Sequence, residues 1–194
     1  MKIGVLALQG AVAEHIRILS GLNTEAFAVK KAEQLKDCDG LVLPGGESTT
    51  MGKLLVKYDM VEALKAFHAD GKPIFGTCAG LILLAKRIEG QDEIHLGLMD
   101  IAVNRNAFGR QRESFETDLR VEGVADDFRA VFIRAPYVTR VGEGVQVLSR
   151  FQDKIVAVEQ GGNLLAAAFH PELTEDPRMH RYFVRMVEKV VAKC

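Results

Sequence analysis

Three short stretches of the chain carry residue types and spacings that could do chemistry together. They are Gly76-Thr77-Cys78-Ala79-Gly80, Phe169-His170-Pro171-Glu172 and Pro44-Gly45-Gly46-Glu47-Ser48. A cysteine with glycine two residues away on either side is framed for a sharp strand-to-helix turn, because small flanks let the backbone fold tightly and hold the nucleophile clear. At a helix N-terminus the thiol would sit near roughly half a positive charge, which favours the reactive thiolate. His170 is a base with an orienter: Pro171 biases it toward an extended conformation, where residues two apart face the same way, so Glu172 can meet the imidazole. That carboxylate would hold the tautomer and support an imidazolium. Adjacent glycines leave backbone N–H groups uncovered, a natural oxyanion cradle. Nucleophile, base, carboxylate and donors together suit acyl transfer through a thioester.

Each stretch taken singly has a plainer reading: a buried cysteine, a structural histidine, an ordinary turn. His15, His68, His95 and His180, placed on helices or turns, are read as structural. The combined reading rests on the elements that would position the three stretches. Apolar strands are expected over 3–8, 24–29 and 39–43, separated by helices over 12–22 and 32–36, which is a βαβαβ opening. Further helices are expected after Ser48, read as a cap, and over 60–69, ahead of the Cys78 strand; a helix over 81–87 follows it. Beyond Gly90 the pattern turns to strands over 96–103, 115–121, 130–133, 145–151, 154–158 and 164–169, several of them antiparallel, with a closing helix over 177–192. The chemical stretches each follow an apolar strand of the parallel core. Ligands bind at the carboxyl ends of such strands, so the three can converge on one edge.

At 194 residues the chain is long enough for one sizeable α/β domain and short for two. With 48% hydrophobic residues, 26% charged and a net charge of −1, the composition is that of a soluble globular protein. Positive charges are scattered and no apolar run approaches the ~20 residues of a membrane span, so neither nucleic acid nor membrane is an expected partner. The first residues read as a strand rather than a signal peptide. Cys38, Cys78 and Cys194 have no metal-like spacing and are odd in number, which fits a reducing cytoplasm, with no metal expected. Cys38 lies between two aspartates and Cys194 is the last residue, which leaves Cys78 as the nucleophile. A polar loop over 104–114 carries three arginines, suited either to solvent or to clamping a substrate carboxylate.

Pro44-Gly45-Gly46, Gly76-Thr77-Cys78-Ala79-Gly80 and His170-Pro171-Glu172, in that order and over nearly the whole chain, resemble the class I (triad) glutamine amidotransferases. Those enzymes hydrolyse glutamine to glutamate and ammonia. Within the class, Leu8-Gln9-Gly10, Pro44-Gly45-Gly46-Glu47-Ser48-Thr49, Arg105-Asn106-Ala107-Phe108-Gly109-Arg110-Gln111 and Phe132-Ile133-Arg134-Ala135-Pro136 are similar to the glutaminase subunits of pyridoxal 5′-phosphate synthase. Many other members carry Gln four residues after the cysteine, where this chain has Ile82. The resemblance implies a three-layer, flavodoxin-like α/β fold with a mostly parallel central sheet, helices on both faces and additional antiparallel strands, as one glutaminase domain over 1–194.

By that resemblance Cys78 attacks the glutamine amide, His170 shuttles protons and Glu172 orients His170. Backbone N–H groups of Gly46 and Ala79 would form the oxyanion hole, and Gly46, Glu47, Ser48, Arg105, Ile133 and Arg134 would bind glutamine. Gln9 would lie near the same edge and link it to the partner. The implied partner is a (β/α)₈-barrel synthase subunit in a large ring of paired subunits, which receives the ammonia through a tunnel and activates the glutaminase on docking. No cofactor is implied on this chain, and a reorientation of the Gly45-Gly46 peptide is expected to be accessible. The alternatives are a PfpI-type cysteine hydrolase, another class I subunit, or a regulatory subunit with a vestigial site. The His-Pro-Glu triplet and the arginine loop argue against the first, and the intact set of chemical groups against the last.

Overall fold

In the computed structural model, residues 1–105 and 114–193 are described. Short apolar segments that would be buried on both faces form the centre of the sheet, as parallel strands covered by helices require. The chain opens with β1 (Lys2–Leu6), α1 (Val12–Ser20), β2 (Glu25–Val29), a 3₁₀ helix (Ala32–Asp37) and β3 (Gly40–Leu43). It continues through α2 (Ser48–Lys57), α3 (Met60–Ala69), β4 (Ile74–Thr77) and α4 (Ala79–Leu84). The second half holds β5 (Ala85–Ile88), β6 (Met99–Asn104), β7 (Ser114–Val121), β8 (Ala125–Ile133), β9 (Tyr137–Val141), β10 (Val145–Phe151), β11 (Lys154–Gln160) and β12 (Leu164–Ala167). A 3₁₀ turn (Pro171–Leu173) and α5 (Arg178–Val191) end it.

The main sheet runs β2-β1-β3-β4-β12-β11-β9-β6-β5, with β10 on β11, and β7 and β8 form a separate two-stranded ribbon. The five strands from β2 to β12 are parallel to their neighbours. The strands beyond are joined mainly by antiparallel pairings. The chain leaves β1 in one direction to reach β2 and leaves β3 in the other to reach β4. Right-handed crossovers in opposite directions put their helices on opposite faces. Accordingly α1 packs with α5 on one face, while α2 packs with α3 and α4 on the other. Gly40 lets α5 lie close on β3, since a Cβ there would come within 2.5 Å of Val187.

This order places a topological switch between β1 and β3, where ligands of open α/β sheets bind. Thr77 of β4 pairs with Ala167 of β12, so Cys78 and the approach to His170 emerge side by side from adjacent parallel strands. The mostly parallel architecture with added antiparallel strands is the one expected. Three local expectations change. The helix after Cys78 is Ala79–Leu84, and its expected second half instead forms edge strand β5, paired parallel with β6. β8 begins at Ala125 rather than at 130, because it pairs along most of β7. β9 has no counterpart among the expected strands; it fills the gap between β11 and β6.

Candidate active site

Cys78 occupies φ 49°, ψ −103°, a conformation that L side chains rarely adopt, between the end of β4 and the start of α4. The flanking glycines are what permit the turn. A Cβ at Gly76 would lie 2.6 Å from the Gly80 backbone, and one at Gly80 would lie 2.1 Å from the Leu43 carbonyl oxygen. Strand, turn and helix are therefore in backbone contact, with no room for any side chain. The Cys78 N–H donates to Ala167 O at 2.8 Å, which ties the turn to β12. Cys38, by contrast, is fully buried and burial pushes its thiol up to about 11.

His170 follows β12, and its N–H donates to Val131 O of β8 at 2.8 Å. Its Nδ1 lies 2.6 Å from Glu172 Oε1, and its ring feels the charge of the neighbouring Cys78. Assigning the Nδ1 proton toward the carboxylate leaves Nε2 for the thiol. Burial works against charging this ring, but the hydrogen bonds and charges of Cys78 and Glu172 outweigh it and raise its pKa to about 10. The route to the Glu172 contact differs from the expected extended segment. Pro171–Leu173 form a single 3₁₀ turn, and Pro171 starts it because a first helical residue needs no N–H partner. The turn carries the carboxylate back under the ring.

Gly45 lies against both groups: a Cβ there would be 2.4 Å from His170 Cε1 and 3.5 Å from Cys78 Cβ. Its carbonyl accepts from Ala11 N–H at 3.2 Å. Gly46 packs on Gln9, whose Oε1 accepts from Glu47 N–H at 2.9 Å, so Gln9 braces the glycine turn directly. Ala79 is the first residue of α4, so its N–H has no partner within the helix.

Of the expected glutamine-binding residues, Glu47 and Arg105 meet beside the glycine turn. Glu47, rather than Ser48, caps α2: its carboxylate accepts from Thr49 and Thr50 N–H at 3.0 and 2.7 Å. The Thr50 hydroxyl adds a third bond, and these bonds, with the Thr50 hydroxyl foremost, hold the Glu47 carboxyl at about 2. Ser48 is buried at the first turn of the same helix. Arg105 Nη2 reaches Glu47 Oε1 at 3.1 Å, which brings the end of β6 to the glycine turn. Ile133 ends β8, just beyond the Val131 carbonyl that holds His170, and Arg134 follows it with a left-handed φ of 44°. The remainder of the arginine loop, Asn106 to Glu113, lies outside the described residues.

Sequence reasoning missed a buried group behind Glu172. His15 of α1 and His180 of α5 are fully buried, 2.8 Å apart from Nδ1 to Nε2. His15 Nε2 lies 3.2 Å from Thr77 Oγ1 and 3.5 Å from Glu172 Oε2. Burial lowers both rings: His180 to about 3, and His15 well below its usual range, helped by the charges of His180 and His170. Both histidines sit on the apolar stripes of their helices, at helical spacing from Ile18 and Leu19 and from Phe183, Val184 and Val187. A titratable residue on a core stripe was the signal available.

Fold and site define a class: a glutamine amidotransferase fold with a thiol on a strained turn, an imidazole–carboxylate pair beside it and a glycine turn facing both. A crystal structure described as a glutamine amidotransferase superposes with a TM-score of 0.91, at 52% identity over 96% of this chain and 98% of that one. A putative GMP synthase subunit from Thermoplasma acidophilum, only 19% identical, shares the fold with a TM-score of 0.72, covering 99% of this chain and 96% of that one. The chain belongs to the SNO glutamine amidotransferase family, which matches residues 5–189. It is 66% identical to the pyridoxal 5′-phosphate synthase subunit PdxT of Halalkalibacterium halodurans, over 97% of this chain and 96% of that protein.

Proposed function

We propose that the chain hydrolyses L-glutamine to L-glutamate and ammonia as the glutaminase subunit of a pyridoxal 5′-phosphate synthase, folded as one glutaminase domain and working in the cytoplasm. The observation that carries this reading is Cys78 at φ 49°, set against the same glycine as a histidine whose Nδ1 is 2.6 Å from a buried glutamate. His170, whose pKa is raised, is the base that takes the thiol proton as attack begins. Cys78 Sγ attacks the side-chain amide carbon, and negative charge gathers on the amide oxygen. The N–H groups of Gly46 and Ala79 are the assigned donors to that oxygen. Protonated His170 gives its proton to the departing ammonia, leaving a γ-glutamyl thioester on Cys78. His170 then takes a proton from water, hydroxide attacks the thioester, and glutamate leaves with the thiol restored.

Glutamine is read as held by Gly46, Glu47, Ser48, Arg105, Ile133 and Arg134. Arg105 suits the ligand's carboxylate, and its present partner Glu47 is the group it would have to share or release. Ammonia passes to the synthase subunit, read as a (β/α)₈ barrel in a large hetero-oligomer, docked near Gln9. The Gly45 carbonyl bond to Ala11 would be broken by a reorientation of the Gly45-Gly46 peptide, which gives docking a defined element to act on. Glutamate release from glutamine, measured for the chain with and without its synthase, should disappear in Cys78→Ala. Activity surviving in that variant would overturn the mechanism.

A further inference from the structure

Glu172 lies wholly in the interior, where an unpaired carboxylate oxygen is costly. One oxygen serves His170, and the other, Oε2, faces His15 Nε2 at 3.5 Å. That spacing is longer than a made hydrogen bond, and among the described residues Oε2 has no hydrogen-bond partner. Contacts of this kind commonly tighten when substrate is bound.

Proton accounting decides what His15 presents to it. Two arrangements of the buried pair are available. If His15 carries its proton on Nδ1 and gives it to His180 Nε2, a bare His15 Nε2 lone pair faces the carboxylate. His180 Nδ1 then carries a proton, although it is buried and has no hydrogen-bond partner among the described residues. If instead His180 donates from Nε2 to His15 Nδ1, His15 carries its proton on Nε2, aimed at Glu172 Oε2 and Thr77 Oγ1. His180 Nδ1 is then a bare acceptor, which removes the stranded donor. Only the second arrangement leaves no buried N–H stranded and sets no lone pair against the carboxylate. It requires two neutral rings, in keeping with the low pKa values that burial imposes.

We infer that His15 is a positioning residue for the glutaminase reaction: its Nε2–H fixes the second oxygen of Glu172, and His180 fixes the tautomer of His15. The inference rests on the proposed roles of Cys78, His170 and Glu172. It makes the orientation of the catalytic base depend on α1 and α5, which pack together. Thr77 joins the same cluster one residue before Cys78, so the group braces the nucleophile's strand as well as the carboxylate.

The test compares two substitutions in the chain assembled with its synthase. His15→Asn keeps a polar group near the Nδ1 position, facing His180, but cannot reach Glu172. His15→Gln places an amide N–H₂ near the Nε2 position and restores the donor. The expected result is a kcat about 10-fold lower in His15→Asn with the KM for glutamine unchanged, and recovery to within about threefold of wild type in His15→Gln. Equal kcat in the two variants, whether high or low, would overturn the role. A second measurement needs no substitution: nitrogen-labelled imidazole NMR of the wild-type protein should show His15 and His180 both neutral with the proton on Nε2, and a proton on His15 Nδ1 would contradict it. Cys78→Ala run alongside separates the two readings. If it keeps activity, the catalytic assignment itself fails; if it is inactive while His15→Asn matches wild type, only the positioning role falls.

Discussion

The buried edge of Cys78, His170 and Glu172 and the more exposed pair of Glu47 and Arg105 are built on opposite principles. Cys78, His170 and Glu172 are 7%, 8% and 0% exposed, and the backbones of Cys78 and His170 are hydrogen-bonded to neighbouring strands. A few residues away, the side chains of Glu47 and Arg105 are 51% and 28% exposed and satisfy each other. In the interior an unmade hydrogen bond is expensive, so geometry once packed is kept. Between exposed side chains an ion pair is worth about 0–1 kcal/mol, so it can be exchanged for a ligand's charges at small cost. On the proposed assignments, reaction chemistry is stored in packing, and recognition in replaceable surface contacts.

Substitutions that cross this divide should differ in kind as well as size. The largest effect is expected for Glu172→Gln, nearly the same shape without the charge: kcat should fall by about 10³–10⁴ with KM little changed, in steady-state glutaminase assays. A loss below tenfold would remove the buried carboxylate from the mechanism. Next comes Gly80→Ala, whose Cβ would meet Leu43 backbone oxygen at 2.1 Å and force β3 and α4 apart. Denaturant unfolding should show a loss of about 3 kcal/mol.

Arg105→Ala belongs to the exposed pair and should raise KM about tenfold while sparing kcat, since one charge-assisted contact is lost. An unchanged KM would return Arg105 to the role of a surface partner for Glu47. The smallest effect is assigned to Glu47→Gln, which weakens the α2 cap by about 0.5–1 kcal/mol. Its sign with pH follows from a folded-state pKa near 2 against an ordinary 4.5. The advantage of wild type over the variant should be complete above about pH 4.5 and be lost as pH falls toward 2. Denaturation curves at pH 7 and pH 3 would check it, and an equal difference at both would contradict it.

The same divide separates what the sequence revealed from what it hid. The glycine frame of Cys78 and the His170-Pro171-Glu172 triplet were legible because their geometry is local, written within five residues and three residues of chain. Gln9, Glu47 and Arg105 are placed by resemblance, and the structure brings them together without a local signal that could have done so. The pair of His15 and His180 is separated by 165 positions, so only the stripe each occupies hinted at burial, and nothing hinted at their meeting. The 3₁₀ turn at Pro171 escaped because Pro restricts the residue before it while also favouring the start of a helical turn. The residues of β5 read as helix because Leu81 to Leu84 and Ala85 to Ile88 form one apolar-rich run, and the change of period falls within it. Strand β9 was hidden by its shortness and by the half-exposed pattern of its residues, since a single buried Val138 marks it.

The central claim is that one thiol, at the strained turn, carries the reaction. An electrophilic glutamine analogue bearing a chloroketone tests it most directly, with peptide mapping by mass spectrometry and glutamine as competitor. The account predicts one label per chain, on Cys78, slowed by glutamine and abolished in Cys78→Ala, while Cys38, buried and with its thiol held near 11, stays unmodified. Labelling of Cys38 in place of Cys78, or glutamine turnover that continues once Cys78 is fully labelled, would contradict it.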